Sequence, residues 1–166
     1  MAGASNISRR GVLLGRGSKV ARICPPGATI ETLAACTGCG ACVDACPTNI
    51  VRLDGGWPSL DFAHGECLFC GDCLRACPEP VFQATNIRRF PHMAAIGASC
   101  LTRNGVACQS CHDACPQQAI RFRPRMGGPF LPEVDDDLCS GCGACIGLCP
   151  VGAIRAGERR KEGAHA

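Results

Sequence analysis

The chain has 166 residues, of which 17 are cysteine, and a formal charge of +3. Its nominal hydrophobic fraction of 46% is swollen by cysteine and alanine. Leu, Ile, Val and Phe together make about a fifth of the chain, so the apolar core is thin and something other than packing is expected to staple the fold. No apolar run approaches the roughly 20 residues that a membrane-crossing helix needs, so a soluble protein with no membrane span is expected.

Residues 1–30 read as a basic N-terminal arm. Arg9, Arg10, Arg16, Lys19 and Arg22 all precede the first acidic residue, Glu31. Ser8-Arg9-Arg10 has the look of a twin-arginine export signal. Such a signal needs a following apolar segment, and Val12-Leu13-Leu14 is interrupted by Gly15-Arg16-Gly17-Ser18-Lys19. The arm therefore reads as a solvated tail, with a docking arm as the sharper alternative. No aromatic residue is interleaved with its arginines and no nucleic-acid motif follows, so nucleic acid is not an expected partner. Cys24-Pro25-Pro26-Gly27 then breaks the chain, and Cys24, outside every cysteine run, reads as a passive thiol.

The cysteine runs come next. Cys36, Cys39, Cys42 and Cys46 form C-x2-C-x2-C-x3-C, followed at once by Pro47. Cys67, Cys70, Cys73, Cys77 and Pro78 repeat the pattern, as do Cys139, Cys142, Cys145, Cys149 and Pro150. Between them lies a partial copy, Cys108, Cys111, Cys115 and Pro116, with Cys100 upstream. A cubane offers four irons at tetrahedral corners, each needing one thiolate. Three cysteines two residues apart let a short loop wrap one face, and the fourth, ahead of proline, points elsewhere. This is the bacterial spacing for 4Fe-4S clusters. Disulfides fit worse, because three cysteines within seven residues make poor partners and no secretory leader is visible. Zinc sites use paired knuckles from separated places, not triples. Metal binding and folding are expected to be coupled, leaving the apo-chain largely unfolded. Each cluster with its thiolates carries about −2, so four would turn the formal +3 into roughly −5.

The segments between runs repeat as well. Ile50–Leu53 reads as a short strand, Gly55-Gly56-Trp57-Pro58 as a turn, and Ser59–Asp61 as the return toward Cys67. Ala119–Phe122, Gly127-Gly128-Pro129 and Pro132–Asp135 do the same ahead of Cys139. This is an internal duplication. Each half resembles a two-cluster bacterial ferredoxin, and the resemblance spans residues 31 to 157. It implies an α+β fold of tandem ferredoxin-like units with little regular structure, and short helices after each Cys-Pro. The expected organisation is an arm (1–30), a first unit (31–85), a second unit with one degenerate and one intact motif (86–157), and a frayed tail (158–166). In such ferredoxins the fourth cysteine serves the other cluster. If that crossover holds, Cys36, Cys39 and Cys42 share a cluster with Cys77. Cys67, Cys70 and Cys73 then share one with Cys46, and Cys139, Cys142 and Cys145 with Cys115. Cys108, Cys111 and Cys149 are left one ligand short. The regular position is Gly105, and Cys100 is the nearest thiol. A fourth cluster completed by Cys100 is favoured over a three-cluster protein with a degenerate region.

Beyond the runs, nearly the full length resembles the NapF family of ferredoxin-type proteins from periplasmic nitrate reductase systems. The residues that carry this are the arm Ser8–Arg16 leading to Pro25-Pro26, Leu33-Ala34-Ala35 before Cys36-Thr37, and Ile96–Leu101 before the three-cysteine run. Phe122-Arg123-Pro124 after that run belongs with them. The resemblance implies a cytoplasmic iron–sulfur protein acting on NapA, the catalytic subunit, before its export. The implied role is maturation, by electron transfer or iron–sulfur centre assembly. A polyferredoxin electron relay to an oxidoreductase is the alternative, and a tightly held subunit of a larger redox enzyme a third. His112, beside Cys111, reads as a hydrogen-bonding neighbour of a cluster, with substitution for Cys100 as a weaker option. Asp135-Asp136-Asp137 lacks the alternate spacing of a calcium loop and reads as a solvated turn. With no nucleophile paired to a base and no nucleotide fingerprint, an independent enzyme is not expected.

Overall fold

The computed structural model describes residues 22–83 and 87–159. The elements are short. A 3-10 turn (Thr32–Ala35) leads to α1 (Ala41–Asp44), the hairpin β1 (Val51–Asp54) and β2 (Trp57–Leu60), and α2 (Asp72–Ala76). Then come β3 (His92–Ile96), α3 (Ser110–Asp113), the hairpin β4 (Ile120–Arg123) and β5 (Leu131–Val134), α4 (Ala144–Gly147) and β6 (Ile154–Glu158).

The duplication is visible in register. β1 and β2 pair antiparallel with Val51 opposite Leu60 and Leu53 opposite Pro58. β4 and β5 pair with Ile120 opposite Val134 and Phe122 opposite Pro132. Proline holds the same place in both return strands, tolerated because each hairpin has only two strands and the ring sits on an edge. Asp61 N–H closes on the Ile50 carbonyl at 2.8 Å, and Asp135 N–H on the Ala119 carbonyl at 2.7 Å. The first hairpin turns on Gly55 and Gly56, both at positive φ, the conformation a two-residue hairpin loop demands. The third sheet pairs β3 with β6, His92 opposite Glu158 through Ile96 opposite Ile154. It joins the start and end of the second half.

The helices stand inside the cysteine runs, before each Cys-Pro and not after it. This corrects the expected placement. Proline disfavours helical backbone in the residue it follows, so Cys46, Cys77, Cys115 and Cys149 end helical turns instead of starting them. A tight turn takes the chain onward from three of these Cys-Pro pairs. The N–H groups of Asn49, Gln118 and Gly152 bond the carbonyls of Cys46, Cys115 and Cys149 at 3.0 to 3.1 Å. All three donors have positive φ, between 50° and 57°.

Two small cores result, one per half. Cys42, Ile50, Val51, Leu60, Phe62 and Phe90 pack in the first. Met93, Ala94, Cys111, Ala119, Ile120, Val134, Cys139, Cys145 and Ile154 pack in the second. Ile146 lies against both. At this junction Gly143, at φ +87°, caps α4 against the Phe62 ring; a Cβ there would come within 2.2 Å of that ring. Phe62, Phe69, Phe90 and His92 form a chain of ring contacts 4.7 to 6.3 Å between centroids. The His92 Nε2–H donates to the Gly141 carbonyl at 2.8 Å, and burial holds its imidazole below the ordinary range.

Residues beside both expected boundaries are tied into the fold. Residues 22–30, placed in the arm by composition, are bound to the first half. Leu60 N–H bonds the Ile23 carbonyl at 2.8 Å, Arg22 pairs with Asp54 at 3.1 Å and lies 5.2 Å from the Trp57 ring centroid, and Pro25 is fully buried. Arg9, Arg10, Arg16 and Lys19 lie outside the described residues. At the other end Glu158 belongs to β6, and Arg159 is not frayed. Its guanidinium donates to the carbonyls of Phe90 (3.0 Å), Asp136 (2.8 Å) and Cys139 (2.7 Å). Residues 160–166 of the expected tail lie outside the description.

Candidate metal centres

Each helical turn places one cysteine, Cys42, Cys73, Cys111 or Cys145, in or against a core, and the Cys-Pro turn that ends it swings the last cysteine of the run toward a neighbouring run. Burial pushes the Cys42 thiol up, and Cys77, Cys36 and Cys39 are close enough to push it further. That places Cys42 near sulfurs from both runs of the first half, the candidate first ring. A cavity of about 260 Å³ is lined by Cys46, Cys67, Cys70 and Cys73. A second cavity is lined by Cys115, Cys139, Cys142 and Cys145. A third is lined by Cys100, Cys108, Cys111 and Cys149. The structure thus brings Cys100, and no regular-position residue, to the three cysteines left short. Among the described residues no three donors close on a point as around a lone ion; the sulfurs surround a volume. Four cysteines lining one cavity, one of them from another run or loop, are the donor set a cubane takes.

The rings are neighbours in a line. Cys73 of the second ring feels Cys42 of the first. Cys67 N–H bonds the Cys142 carbonyl at 2.9 Å, which ties the second ring to the third across the junction. Cys145 of the third ring feels Cys111 of the fourth.

Burial and mutual repulsion make these poor free thiolates. Burial first, then neighbouring cysteines, push Cys67 and Cys145 up to about 12 and Cys73 and Cys111 up to about 11. A bound cation reverses that preference, since a coordinated thiol is deprotonated outright. Two cysteines behave differently. At Cys46 burial raises the thiol, but the Thr48 hydroxyl and the N–H groups of Ile50, Val51 and Thr48 outweigh it. At Cys100 burial is outweighed by the Thr102 hydroxyl, the N–H groups of Arg103 and Thr102, and the Arg103 charge. N–H groups reach sulfur elsewhere too: Gly38 to Cys36 at 3.4 Å, Ala119 to Cys115 at 3.3 Å and Ala153 to Cys149 at 3.2 Å.

The third run departs from the others in its approach. Gly40, Gly71 and Gly143 cap their helices in left-handed backbone, whereas Gln109 at the same place has φ −130°. The chain enters α3 from another direction, out of the loop that carries Cys100. His112 uses Nδ1–H to bond the Ile120 carbonyl at 2.7 Å and meets Phe122 edge-on, bracing β4. Asp135 accepts from the N–H groups of Asp137 and Leu138 at 3.0 and 3.2 Å, forming the turn into the last run. Cys24 lines none of the three cavities, and burial holds its thiol up. Sequence reasoning missed Arg159 and Thr102. Neither has a motif; both act through main chain or sulfur brought close only by folding.

The chain matches the 4Fe-4S dicluster domain family twice, over residues 35–81 and 106–153. It is therefore an iron–sulfur protein of tandem ferredoxin-type units. It is 44% identical to the ferredoxin-type protein NapF of Escherichia coli over 90% of this chain and 93% of that protein. Identity is 46% to NapF of Haemophilus influenzae over 78% of this chain and 74% of that protein. It is 30% to the ferredoxin-type protein NapG of Escherichia coli over 88% and 76%. The chain belongs to the NapF family of ferredoxin-type proteins. Among the described residues no helix is long and apolar enough to cross a membrane.

Proposed function

We propose that this chain binds four 4Fe-4S clusters and serves in the cytoplasm as a one-electron partner of NapA, completing that catalytic subunit before its export. The proposed ligand sets are the four rings, with Cys100 completing the degenerate one, on a unit 31–85 and a unit 86–157. When bound, each cluster supplies one-electron chemistry at a potential set by hydrogen bonds to sulfur, burial and nearby charge. The chain's own part is to hold sixteen thiolates, bury Cys42, Cys111, Cys139 and Cys145 among them, and aim N–H and hydroxyl groups at sulfur. The observation that carries the redox reading is the linear run of rings, tied across the junction by Cys67 N–H and the Cys142 carbonyl. The maturation reading is supported by membership of the NapF family.

Two measurements test this. Anaerobic iron analysis of the full chain is expected to give about sixteen irons; about twelve would remove the fourth cluster. In a strain lacking the protein, periplasmic nitrate reductase is assayed with reduced viologen, which bypasses physiological donors, and by the quinol route. Loss of both activities is expected, because the catalytic subunit is never completed. Intact viologen activity with lost quinol activity would overturn maturation in favour of an electron relay, the reading that the continuous line of rings by itself favours.

A further inference from the structure

Hydroxyl groups are shared unevenly among the four rings. In the fourth, Cys100 Sγ lies 3.2 Å from the Thr102 Oγ1 and Cys108 Sγ lies 3.6 Å from the Ser110 Oγ. The second ring has one such contact, Thr48 to Cys46 at 3.6 Å. Thr102 is the buried polar residue of the described chain, 2% exposed. Its hydroxyl faces the Cys100 sulfur, and its backbone is pinned. The Thr102 carbonyl accepts from Arg125 Nη2 at 2.9 Å, and the Asn104 amide donates to the carbonyls of Ala98 and Cys100 at 2.8 Å each. A buried hydroxyl left unpaired costs about 1–3 kcal/mol. It therefore donates to sulfur, and more strongly as that sulfur gains negative charge. Ala153 N–H adds a donor at Cys149, beside the Arg103 and Thr102 N–H groups at Cys100.

In the first ring Gly38 N–H reaches Cys36 at 3.4 Å, but its fourth cysteine, Cys77, is the opposite case. At Cys149, Cys115 and Cys46 the fourth residue after the cysteine supplies an N–H to sulfur, from a turn whose third residue has positive φ. After Cys77 that third residue is Pro80, whose φ is locked near −65°. The Val81 N–H goes instead to the Glu79 carbonyl at 2.8 Å.

We infer that Thr102 and Ser110 make the Cys100–Cys108–Cys111–Cys149 site the most easily reduced of the four, so that an electron entering the chain comes to rest there. This rests on the four-cluster reading above. The physical reason is that hydrogen bonds to thiolate sulfur stabilise the more negative, reduced state. The electron gained at this site is the one lost by the neighbouring reduced site; no bond forms or breaks and no proton moves. The line of rings then has a direction, from the Cys77 end toward the Cys100 end.

The test is a potentiometric titration of the full-length, anaerobically purified holoprotein, followed by electron paramagnetic resonance, with iron counted in every sample. Cys100→Ala is expected to lower iron from about sixteen to about twelve and to remove the first signal to appear on reduction. Thr102→Val is expected to keep the iron and to move that signal to more negative potential. The shift corresponds to about tenfold in the reduction equilibrium, or about 59 mV; the other signals stay in place. Thr102→Ser restores the position. If Thr102→Val loses iron, Ser110→Ala is read in its place, with a smaller shift of the same sign. A first signal that survives Cys100→Ala, or that stays put in iron-replete Thr102→Val or Ser110→Ala, overturns the inference. Wild-type iron of about twelve, unchanged by Cys100→Ala, overturns the four-cluster reading itself and is told apart by the count.

Discussion

The two halves share a hairpin with proline at the same register, helical turns at the same cysteines, and the same closing bond from an aspartate N–H. They differ in how they end. The second half is sealed by five paired residues of β3 and β6 and by Arg159, which gathers carbonyls from three separate segments. In the first half, among the described residues, the corresponding ends meet through one bond, Gln83 N–H to the Gly27 carbonyl at 2.9 Å. Fewer of its core residues are buried. One motif repeated along a chain therefore does not mean equal stability, because closure depends on segments outside the motif. Local opening follows the least closed part of a fold.

Removing the iron should erase the comparison altogether. With both cores this thin, chelation to completion is expected to abolish any cooperative thermal transition, read by circular dichroism. Under limiting chelator the loss should come in two phases, the first half's clusters going first. Limited proteolysis would then cut at Arg52 or Arg75 before Arg121 or Arg155. A single phase with simultaneous cleavage would mean that the junction makes the halves one cooperative unit.

Arg159→Ala comes next in size. Removing a charged donor from three carbonyls is expected to cost about 1.5–3 kcal/mol. The second half would then release iron almost as early as the first, and the two phases would draw together. Phases unchanged from wild type would mean that β3 and β6 seal the half without the guanidinium.

The smallest effect is expected from Pro80→Asn, which copies the Cys46-Pro47-Thr48-Asn49 turn into the first half. Asparagine tolerates positive φ and frees the Val81 N–H to turn toward Cys77. A gain of up to about 1 kcal/mol would slow iron release from the first half and leave the second unchanged. Faster release would show that Pro80 supports the site through rigidity.

Much of the site was legible because ligand spacing is local. Three cysteines two residues apart must wrap something, and Gly38 and Gly141 sit at positive φ within those wraps. Phe69 shows the limit of that logic. It takes the same left-handed backbone, φ 53°, without being glycine, and rests its ring 5.1 Å from Phe90. The helix positions were not legible, because left-handed Gly40, Gly71 and Gly143 within three of the runs set where a helix starts, and the conspicuous proline marks only where it ends. Composition draws the arm too long, through residue 30, because charge says nothing about the edge of β2 that Ile23 occupies.

The sequence by itself determined the chemistry: which residues carry sulfur, how the runs repeat, and that the apolar core is thin. Those follow from short-range spacing and composition. Only the tertiary structure decided that Cys100 faces Cys108, Cys111 and Cys149, and that Gly143 seats against Phe62. It alone decided that Arg159 gathers three carbonyls in one half, while among the described residues Gln83 N–H meets the Gly27 carbonyl in the other. Each of these joins segments far apart in the chain, and no local pattern encodes which distant carbonyl, ring or sulfur a side chain will meet.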